Sequence, residues 1–421
     1  MTPATTPTPI ARAAAPVGPA AATAPGARVV AGDRLGWSRS PAGPARSTAW
    51  HDGERAHHHA WPGLKMVADP LEALRMVLEA APGGERIGWL SYELGGAIEP
   101  GAASTKTGPL WLVHRVDPAA AAPSGRAERG PLPTSIMAAG DMAHRDHFMH
   151  AVTRAKAYIR AGDVYQANIA TPIVLRSEIG ALELAELLLA RTRPRFGALI
   201  EPGPAEGLPI VCSLSPELGV RADFRTGRIQ TRPIKGTRPE GSDPAELLGA
   251  EKDRAELDMI VDLMRNDLGR VCTLGSVRVA ERRRVEPHAG VVHAVATIEG
   301  TMRPGTTPID VIRAVFPFGS ITGAPKIRAM QIIDELEGFR RGAYCGSVFR
   351  LSDDGVLEMN VAIRTASITP VVGGGCELVY PVGAGIVDDS EPGAEWAETQ
   401  DKAVGVRAAL GMTEHTQVAT P

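Results

Sequence analysis

Residues 319–326 of this 421-residue chain have the sequence Gly-Ser-Ile-Thr-Gly-Ala-Pro-Lys, and a helical pattern of apolar residues follows them to Leu336. Glycines in such a turn leave backbone N–H groups accessible, and a helix start presents further N–H groups and the positive end of its dipole. The turn therefore suits a carboxylate or phosphate ligand. Its spacing differs from the GxxxxGK[ST] pattern of phosphate-binding loops, which disfavours nucleotide binding. An ordinary helix start with Pro325 in its first turn is the alternative.

Two further helices carry acidic pairs. Apolar spacing predicts one helix over Glu251–Leu268, ended by Gly269, and another over Pro392–Leu410. Each has two acidic residues three positions apart, which places both on one helix face: Asp253 with Glu256, and Glu395 with Glu398. Magnesium takes one or two protein carboxylates and leaves its other positions to water and substrate. The two helices together predict an oxygen-only Mg²⁺ site, and solvated helix faces are the alternative.

A lysine lies in a constrained segment at 233–239, which has the sequence PIKGTRP. We expect this segment to close a strand, with Lys235 held in one direction between a proline and a glycine and with its backbone open to a ligand. A lysine amine that has lost its proton is a nucleophile. A surface lysine is the alternative interpretation.

The remaining pattern mixes strands and helices without a βαβ rhythm, which is typical of an α+β architecture. Alternation predicts a hairpin of Val220–Asp223 and Arg228–Arg232. We also expect a glycine turn at Gly383–Gly385. Further predicted elements are the helices Leu71–Ala81 and His144–Ala161 and the strands Ile87–Tyr92, Leu208–Leu214 and Glu377–Val382.

Composition disfavours several classes of partner and location. The hydrophobic fraction of 44% and charged fraction of 22% are ordinary for a globular protein with a sizeable core. A formal net charge of −3 provides no attraction to nucleic acid or to an anionic membrane. No apolar run approaches the roughly 18 residues of a membrane span. The four cysteines follow no disulfide or metal-binding pattern, so we expect a cytoplasmic protein.

Changes in composition divide the chain into four parts. Residues 1–31 are rich in Ala, Pro and Thr and contain no acidic residue, so we predict a disordered tail, with a transit peptide as the alternative. Residues 32–139 are predicted to form the N-terminal part of the fold, with a long loop at 118–133. Residues 140–412 are predicted to form the catalytic core, followed by a second tail at 413–421.

Eight segments over residues 162–399 together resemble the chorismate-binding family, which includes anthranilate, aminodeoxychorismate, isochorismate and salicylate synthases. The segments are GDVYQ at 162–166, SPE at 215–217, PIKGTRP at 233–239, AELDMIVDLMRNDLGRV at 255–271, VVHAV at 291–295, GSITGAPKIRAM at 319–330, AIRTA at 362–366 and GAGIVDDSEPGAEWAET at 383–399. The resemblance implies a single large two-lobed α+β domain, with extensive antiparallel sheets, covering helices and an active site in the cleft between them.

The resemblance also implies a metal site. Glu256 and Glu398 would bind Mg²⁺ directly, with Asp253 and Glu395 in the surrounding acidic shell. The ion would hold the ring carboxylate of chorismate.

The remaining implied roles concern the substrate. Glu217 would be the general acid for the departing hydroxyl, which requires a carboxyl that stays protonated near neutral pH. His293 would lie near the ring. Arg364 would bind the enolpyruvyl carboxylate, aided by backbone N–H groups near Gly383 and Gly385. The other implied substrate-binding residues are Gln166, Gly236, Thr237 and Thr322.

Two positions distinguish the family members. Isochorismate and salicylate synthases have a lysine where this chain has Gln166, and glutamine cannot activate water as a base. Anthranilate synthases resemble PIAGT, with alanine where this chain has Lys235. By resemblance to aminodeoxychorismate synthase, Lys235 attacks C2 of chorismate, and ammonia then adds at C4 to give 4-amino-4-deoxychorismate for 4-aminobenzoate and folate synthesis. The alternatives are an anthranilate synthase or other C2-aminating enzyme, and a non-catalytic chorismate-binding or scaffold subunit.

The amination needs a source of ammonia. No GxCxG motif of a glutamine amidotransferase surrounds any of the four cysteines. A separate glutamine amidotransferase subunit is therefore the implied partner.

Several residues depart from the pattern usual in the family. We expect them to change the shape of the pocket, and with it the exact product. They are Phe318, Phe349 and Arg350, together with Ala294, Ala296 and Glu358.

Overall fold

The computed structural model describes residues 26–31, 42–61, 64, 67–80, 84–116, 136–139, 141–203, 205, 207–288 and 291–412. The helices are α1 Pro70–Leu78, α2 Leu94–Ile98, α3 Asp141–Arg160, α4 Ala181–Thr192, α5 Pro244–Gly249, α6 Glu251–Gly269, α7 Pro308–Val315, α8 Lys326–Leu336 and α9 Pro392–Ala409. The strands are β1 Gly26–Ala31, β2 Ala42–His51, β3 Ala56–His59, β4 Glu85–Leu90, β5 Trp111–Val116, β6 Ile136–Ala139, β7 Gln166–Ser177, β8 Phe196–Ile200, β9 Ile210–Ser215, β10 Leu218–Asp223, β11 Arg228–Arg232, β12 Ile234–Pro239, β13 Arg278–His288, β14 Val291–Thr301, β15 Gly323–Ala324, β16 Ser347–Leu351, β17 Val356–Asn360, β18 Thr365–Pro370 and β19 Cys376–Ile386. Over these ranges no helix is long and apolar enough to cross a membrane.

The strands form two antiparallel sheets. The first has the order β1-β8-β9-β18-β19-β7, and both β6 and β15 pair with the far edge of β7. The second has the order β3-β2-β5-β4-β16-β17-β10-β11-β14-β13, and β12 continues β11 along β14. β1 also pairs with β2, which connects the two sheets. Extensive antiparallel sheet with covering helices confirms the predicted α+β fold.

Two adjacent connections carry the chain between the sheets. β9 lies in the first sheet and β10 in the second, so residues 216–217 make one crossing, and residues 361–364 make the reverse crossing from β17 to β18. Hydrogen bonds join the crossings: Val361 N–H donates to Glu217 O at 3.1 Å, and Leu214 N–H donates to Arg364 O at 2.9 Å. Arg364 has a φ of +51°, a left-handed conformation that costs free energy for a residue with a side chain. Glu217 and Arg364 thus occupy neighbouring positions where the sheets meet.

Apolar packing holds the layers together. One cluster combines side chains of both sheets, among them Trp89, Phe196 and Val348. A second packs α4 and α9 on the first sheet, and the largest contains residues of α1, α6, α7 and α8. Each fully buried large apolar side chain contributes about 1.5–3 kcal/mol relative to an exposed one, so these clusters fix the positions of the strands that carry the candidate site.

Most of the predicted elements are present, and three expectations require correction. The hairpin is confirmed by β10 and β11, and the two acidic helices by α6 and α9. The glycine turn is wrong, because residues 383–385 lie inside β19. Residues 233–239 do not merely close a strand, since Ile234–Pro239 form β12 itself. Gly26–Ala31, assigned to the disordered tail, form β1 and pair with β8.

Other parts of the predicted division fall outside the described residues. These are residues 1–25, the loop at 118–133 and the tail at 413–421. The division into an N-terminal part and a catalytic core stays a prediction.

Candidate active site

Lys235 lies on β12 at the centre of the residues singled out by the sequence. Its Nζ is 3.3 Å from Glu256 Oε2 on α6. A Cβ placed on Gly385 of β19 would be 3.6 Å from the same Nζ and 2.3 Å from Gln166 Nε2. The structure therefore brings Lys235, Glu256, Gln166 and the Gly385 backbone together from four different elements.

Glu217 is a buried carboxyl beside this lysine. Burial raises its pKa to about 7, although the Ser320 hydroxyl, the Lys235 ammonium and the Ile234 N–H all favour the ionised form. The residue is 3% exposed. A carboxyl with this pKa is about half protonated at pH 7, which allows it to donate a proton to a leaving group.

His293 on β14 is a buried neutral imidazole. Its Nδ1 lies 2.8 Å from Thr237 Oγ1, which fixes the ring orientation. Burial and the charge of Arg364 lower its pKa to about 4. The His288 ring packs edge-on against it with centroids 4.5 Å apart. At neutral pH the ring can therefore accept or donate a hydrogen bond without carrying charge.

Gly383 and Gly385 form one wall of the site. Both positions require glycine, because a side chain at either would collide with its neighbours. A Cβ on Gly383 would lie 2.9 Å from Ile169 O and 3.0 Å from Tyr344 Oη. On Gly385 it would overlap the buried Gln166 amide. These glycines serve close approach within a strand, which explains why the sequence suggested a turn at this position.

Gly236 and Thr322, two of the predicted substrate-binding residues, have different roles in the structure. Gly236 has a φ of +84°, and a Cβ there would come within 3.0 Å of Asp253 Oδ2. Thr322 is fully buried, and its hydroxyl donates to Phe318 O at 3.0 Å. The side chain of Thr322 thus stabilises its own loop, whereas Gly236 lets the acidic helix approach β12.

Polar atoms without partners mark the site as a place for a ligand. Buried side-chain atoms normally form hydrogen bonds, and an exception calls for an explanation. Within the described ranges, four buried atoms of the site have no partner in hydrogen-bonding geometry, although Ser320 lies close enough to the Glu217 carboxyl to favour its ionised form. They are Gln166 Oε1, Glu217 Oε1, His293 Nε2 and Ser320 Oγ. A bound molecule with hydroxyl and carboxylate groups would supply partners for them.

The predicted metal ligands are each faced by a cationic side chain. Glu256 pairs with Lys235, and Glu398 Oε1 lies 2.8 Å from Lys402 Nζ. The same Lys402 Nζ donates to Gly383 O at 2.7 Å, two residues from the glycine beside Lys235. The lysine partners of both carboxylates thus lie beside β19, Lys402 at Gly383 and Lys235 at Gly385.

The acidic shell has its own contacts. Asp253 pairs with Arg238 at 3.1 Å, and Glu395 is buried. In the part of the chain that the structure describes, no three His, Cys, Asp or Glu side chains group closely enough to hold a metal ion by themselves. The assignment of Glu256 and Glu398 as ligands stays a prediction, for an ion that takes one or two protein carboxylates and otherwise binds water and substrate.

Two of the departures from the family pattern belong to an ion-pair network rather than to the pocket. Arg350 is buried and donates to Glu85 through Nε (2.8 Å) and Nη2 (2.9 Å), and to Glu358 through Nη1 (2.7 Å). Glu358 also pairs with Arg221 at 2.6 Å. The expectation that Arg350 and Glu358 shape the pocket is corrected: their charges are satisfied between strands β4, β10, β16 and β17.

The aromatic departures are buried as well. A Cβ on Gly219 would lie 2.3 Å from Phe318 Cζ, so the Phe318 ring occupies the space above this glycine, two residues from Glu217. Phe349, Ala294 and Ala296 are fully buried. The expectation that these residues change the shape of the pocket stays a prediction.

Sequence reasoning missed four residues of the site: Lys402, Ser320, Tyr344 and His288. Two of them had a usable signal: Lys402 follows Glu398 by four residues on one helix face, and Ser320 lies in the 319–326 turn that the sequence predicts to bind an anion. The others come close to the site through strand pairing and loop geometry.

Comparison with known proteins identifies the family. A family model described as chorismate binding enzyme matches residues 113–407. The chain belongs to this family.

Two of its most similar relatives carry different activities in their names. The chain is 44% identical over 265 residues to an aminodeoxychorismate synthase component 1 from Klebsiella aerogenes, covering 61% of this chain and 56% of the relative. It is 41% identical over 298 residues to an anthranilate synthase component 1 from Haloarcula marismortui, covering 69% and 59%. The chain thus spans less than two thirds of the length of the relatives it matches.

Solved structures agree on the fold. Anthranilate synthase component I from Streptococcus pneumoniae has a TM-score of 0.69 at 23% identity, covering 95% of both chains. A 2,3-dihydroxybenzoate-specific isochorismate synthase from Bacillus anthracis has a TM-score of 0.68 at 20% identity, covering 93% of this chain and 98% of that one. At these identities the likeness shows the architecture alone.

Proposed function

We propose that this chain aminates chorismate at C4, giving 4-amino-4-deoxychorismate from chorismate and ammonia. The observation that carries the proposal is the position of Lys235, whose amine points into the site between Glu256, Glu217 and the Gly385 backbone. A C2-aminating enzyme needs no nucleophile of its own, because ammonia attacks the ring directly.

Each of the two carboxylates of chorismate would bind to a different part of the site. Arg364 and the backbone of Gly383 and Gly385 would take the enolpyruvyl carboxylate. Glu256 and Glu398 would hold a Mg²⁺ ion, which when bound supplies positive charge to the ring carboxylate. The neutral His293 lies on the same side as Arg364 and would contact the ring.

The first step uses Lys235 and Glu217 together. Once Nζ is in its neutral form, its lone pair forms a bond to C2, both ring double bonds shift (C1=C2 to C1=C6 and C5=C6 to C4=C5), and the C4–O bond breaks. Protonated Glu217 gives its proton to the departing oxygen, so that water leaves. Placing nucleophile and acid in one buried site is the arrangement that covalent catalysis requires.

The second step reverses the allylic shift. Ammonia forms a bond to C4, both double bonds return to C1=C2 and C5=C6, and the C2–N bond to Lys235 breaks. The proton released from nitrogen balances the one given up by Glu217. Because the lysine occupies C2 in the intermediate, the amine is directed to C4.

The ammonia would come from a separate glutamine amidotransferase subunit, and the product would serve 4-aminobenzoate and folate synthesis. This proposal rests on the component 1 relatives and on the lack of a glutaminase motif around the four cysteines. Free ammonium salt should replace such a partner in the assay.

The test incubates the purified chain with chorismate, Mg²⁺ and ammonium salt at alkaline pH and identifies products by mass spectrometry and ultraviolet spectrum. We expect a 4-amino product from the wild type, none from Lys235→Ala, and none when a chelator removes Mg²⁺. Lys402→Ala is the matched lysine control, because it lies in the site without being the nucleophile, and it should weaken turnover without changing the product. Anthranilate from the wild type would overturn the C4 assignment. Chorismate binding without turnover, even with a glutaminase subunit added, would favour the scaffold alternative.

A further inference from the structure

A buried ion pair outside the candidate site forms hydrogen bonds with backbone groups at the edge of β7, where no strand of the described residues pairs with it. Arg341 and Glu337 have side chains that are each 1% exposed. The guanidinium donates to Glu337 through Nε (2.8 Å) and Nη2 (2.6 Å). Such two-point pairs are strong and fix geometry in a way that a lysine cannot reproduce.

The gap lies between two short strands that share the same edge of β7. β15 pairs with Gln166 and Ala167, and β6 pairs with β7 only from Val174 onward. Between them, Asn168 O accepts a hydrogen bond from Arg341 Nη2 at 2.7 Å, and Ala170 N–H donates to Glu337 Oε1 at 2.7 Å. The two side chains thus take the place of a missing strand.

The same guanidinium reaches the loop that precedes β15. Arg341 Nη1 donates to Ile321 O at 3.0 Å. Ile321 lies between Ser320, whose hydroxyl faces the Glu217 carboxyl, and Thr322, whose carbonyl accepts the Asn168 N–H at 2.8 Å. The Arg341 side chain therefore forms hydrogen bonds both to the loop of residues 320–322 and to β7.

The β7 residues held in this way face the glycine wall. Asn168 pairs with Gly385 and Ala170 pairs with Gly383 in the ladder between β7 and β19. The Tyr92 ring lies under the guanidinium at 4.5 Å and supports it from the other side. Arg341 thus holds the Ser320 loop to β7, and through β7 to the Gly383–Gly385 wall, together with the Asn168–Thr322 hydrogen bond and the β15–β7 pairing.

We infer that Arg341 and Glu337 are positioning residues for the chorismate reaction, which together set the separation of the Ser320–Thr322 loop from the glycine wall. This inference rests on the proposed function only in that the site consumes chorismate. A displacement of about 1 Å between reacting groups can lower the rate about 100-fold. Loss of the pair should therefore lower kcat per folded molecule far more than it weakens the fold.

Two variants test the inference. Arg341→Lys keeps the buried charge pair but removes the fork that reaches Ile321 O and Asn168 O. The double variant Arg341→Met with Glu337→Gln removes both charges, so no unpaired charge stays buried. The matched control is Arg350→Met with Glu85→Gln, which removes a buried two-point pair between β16 and β4 and leaves Glu358 paired with Arg221.

The readouts are chorismate consumption, the folded fraction from urea denaturation, and amide hydrogen exchange. We expect both Arg341 variants to lose about 100-fold in kcat per folded molecule with a much smaller change in KM. Exchange should speed up in residues 166–170 and 319–323, and the control should keep wild-type kcat. Wild-type kcat per folded molecule in both Arg341 variants, or an equal loss in the control, would overturn the inference. A C2-aminated product would refute the proposed function and leave this test intact, because consumption is measured whatever the product.

Discussion

The substitution Glu217→Gln should stabilise the fold at alkaline pH while it abolishes turnover. Glu217 has a folded-state pKa of about 7 against an ordinary value of 4.5, because burial disfavours its charge. Below pH 4 the carboxyl is protonated in both the folded and unfolded states and no difference arises. Between pH 4.5 and 7 the unfolded state loses its proton while the folded state keeps it, so the free energy of unfolding falls as the pH rises, and above pH 7 the difference stays constant. The difference of about 2.5 pKa units corresponds to about 3 kcal/mol at pH 8.

The assay is urea denaturation of wild type and Glu217→Gln at several pH values, extrapolated linearly to water. The variant should gain about 3 kcal/mol on the wild type between pH 4 and pH 8, with most of the change between pH 4.5 and 7. Glu178→Gln, which replaces an exposed glutamate, is the control and should track the wild type throughout. A constant difference between the wild type and Glu217→Gln over this range would refute the reasoning that Glu217 is held protonated by burial.

Three further perturbations follow from contacts in and behind the site. Gly385→Ala should abolish chorismate consumption because its methyl group would overlap the Gln166 amide. The added substitution Gln166→Ala should restore the midpoint of urea denaturation but not the activity. An active Gly385→Ala enzyme would contradict this prediction. Thr237→Val should lower kcat about 10- to 100-fold by releasing the His293 ring, with unchanged KM for Mg²⁺ as the control, and a wild-type kcat would show that the hydrogen bond is dispensable. Phe318→Ala should cost about 3–5 kcal/mol in urea denaturation through the cavity it leaves, and a loss below 1 kcal/mol would mean that the ring is not tightly packed.

The fold was predictable because periodicity and motif order act locally. The spacing of apolar residues that predicts α6 and α9 reflects which side of each helix faces the core. This spacing can be read from residues that are close together in the sequence. The error at Gly383–Gly385 has a definite origin. Glycine permits both tight turns and close approach of another chain segment, and only strand pairing with β7 shows which of these is required.

The candidate site was predictable as a set of residues but not as a set of contacts. The motifs named Lys235 and Glu256, yet their 3.3 Å contact depends on the packing of α6 against β12. Ser320 and Tyr344 were missed because their proximity to the site arises from residues far apart in the chain. Arg350 was misplaced for a related reason, since its partner Glu85 is 265 residues away.

The crossings at 216–217 and 361–364 have a consequence for how this enzyme can change. Glu217 and Arg364 are fixed to the two sheets through these connections, so the angle between the sheets determines how far apart the proposed proton donor and the proposed anion-binding group lie. Phe196 and Val348 are buried in the apolar cluster that joins the two sheets, and their packing contributes to that angle. We therefore expect substitutions in this apolar layer to change the separation of Glu217 and Arg364 while every residue of the site stays the same.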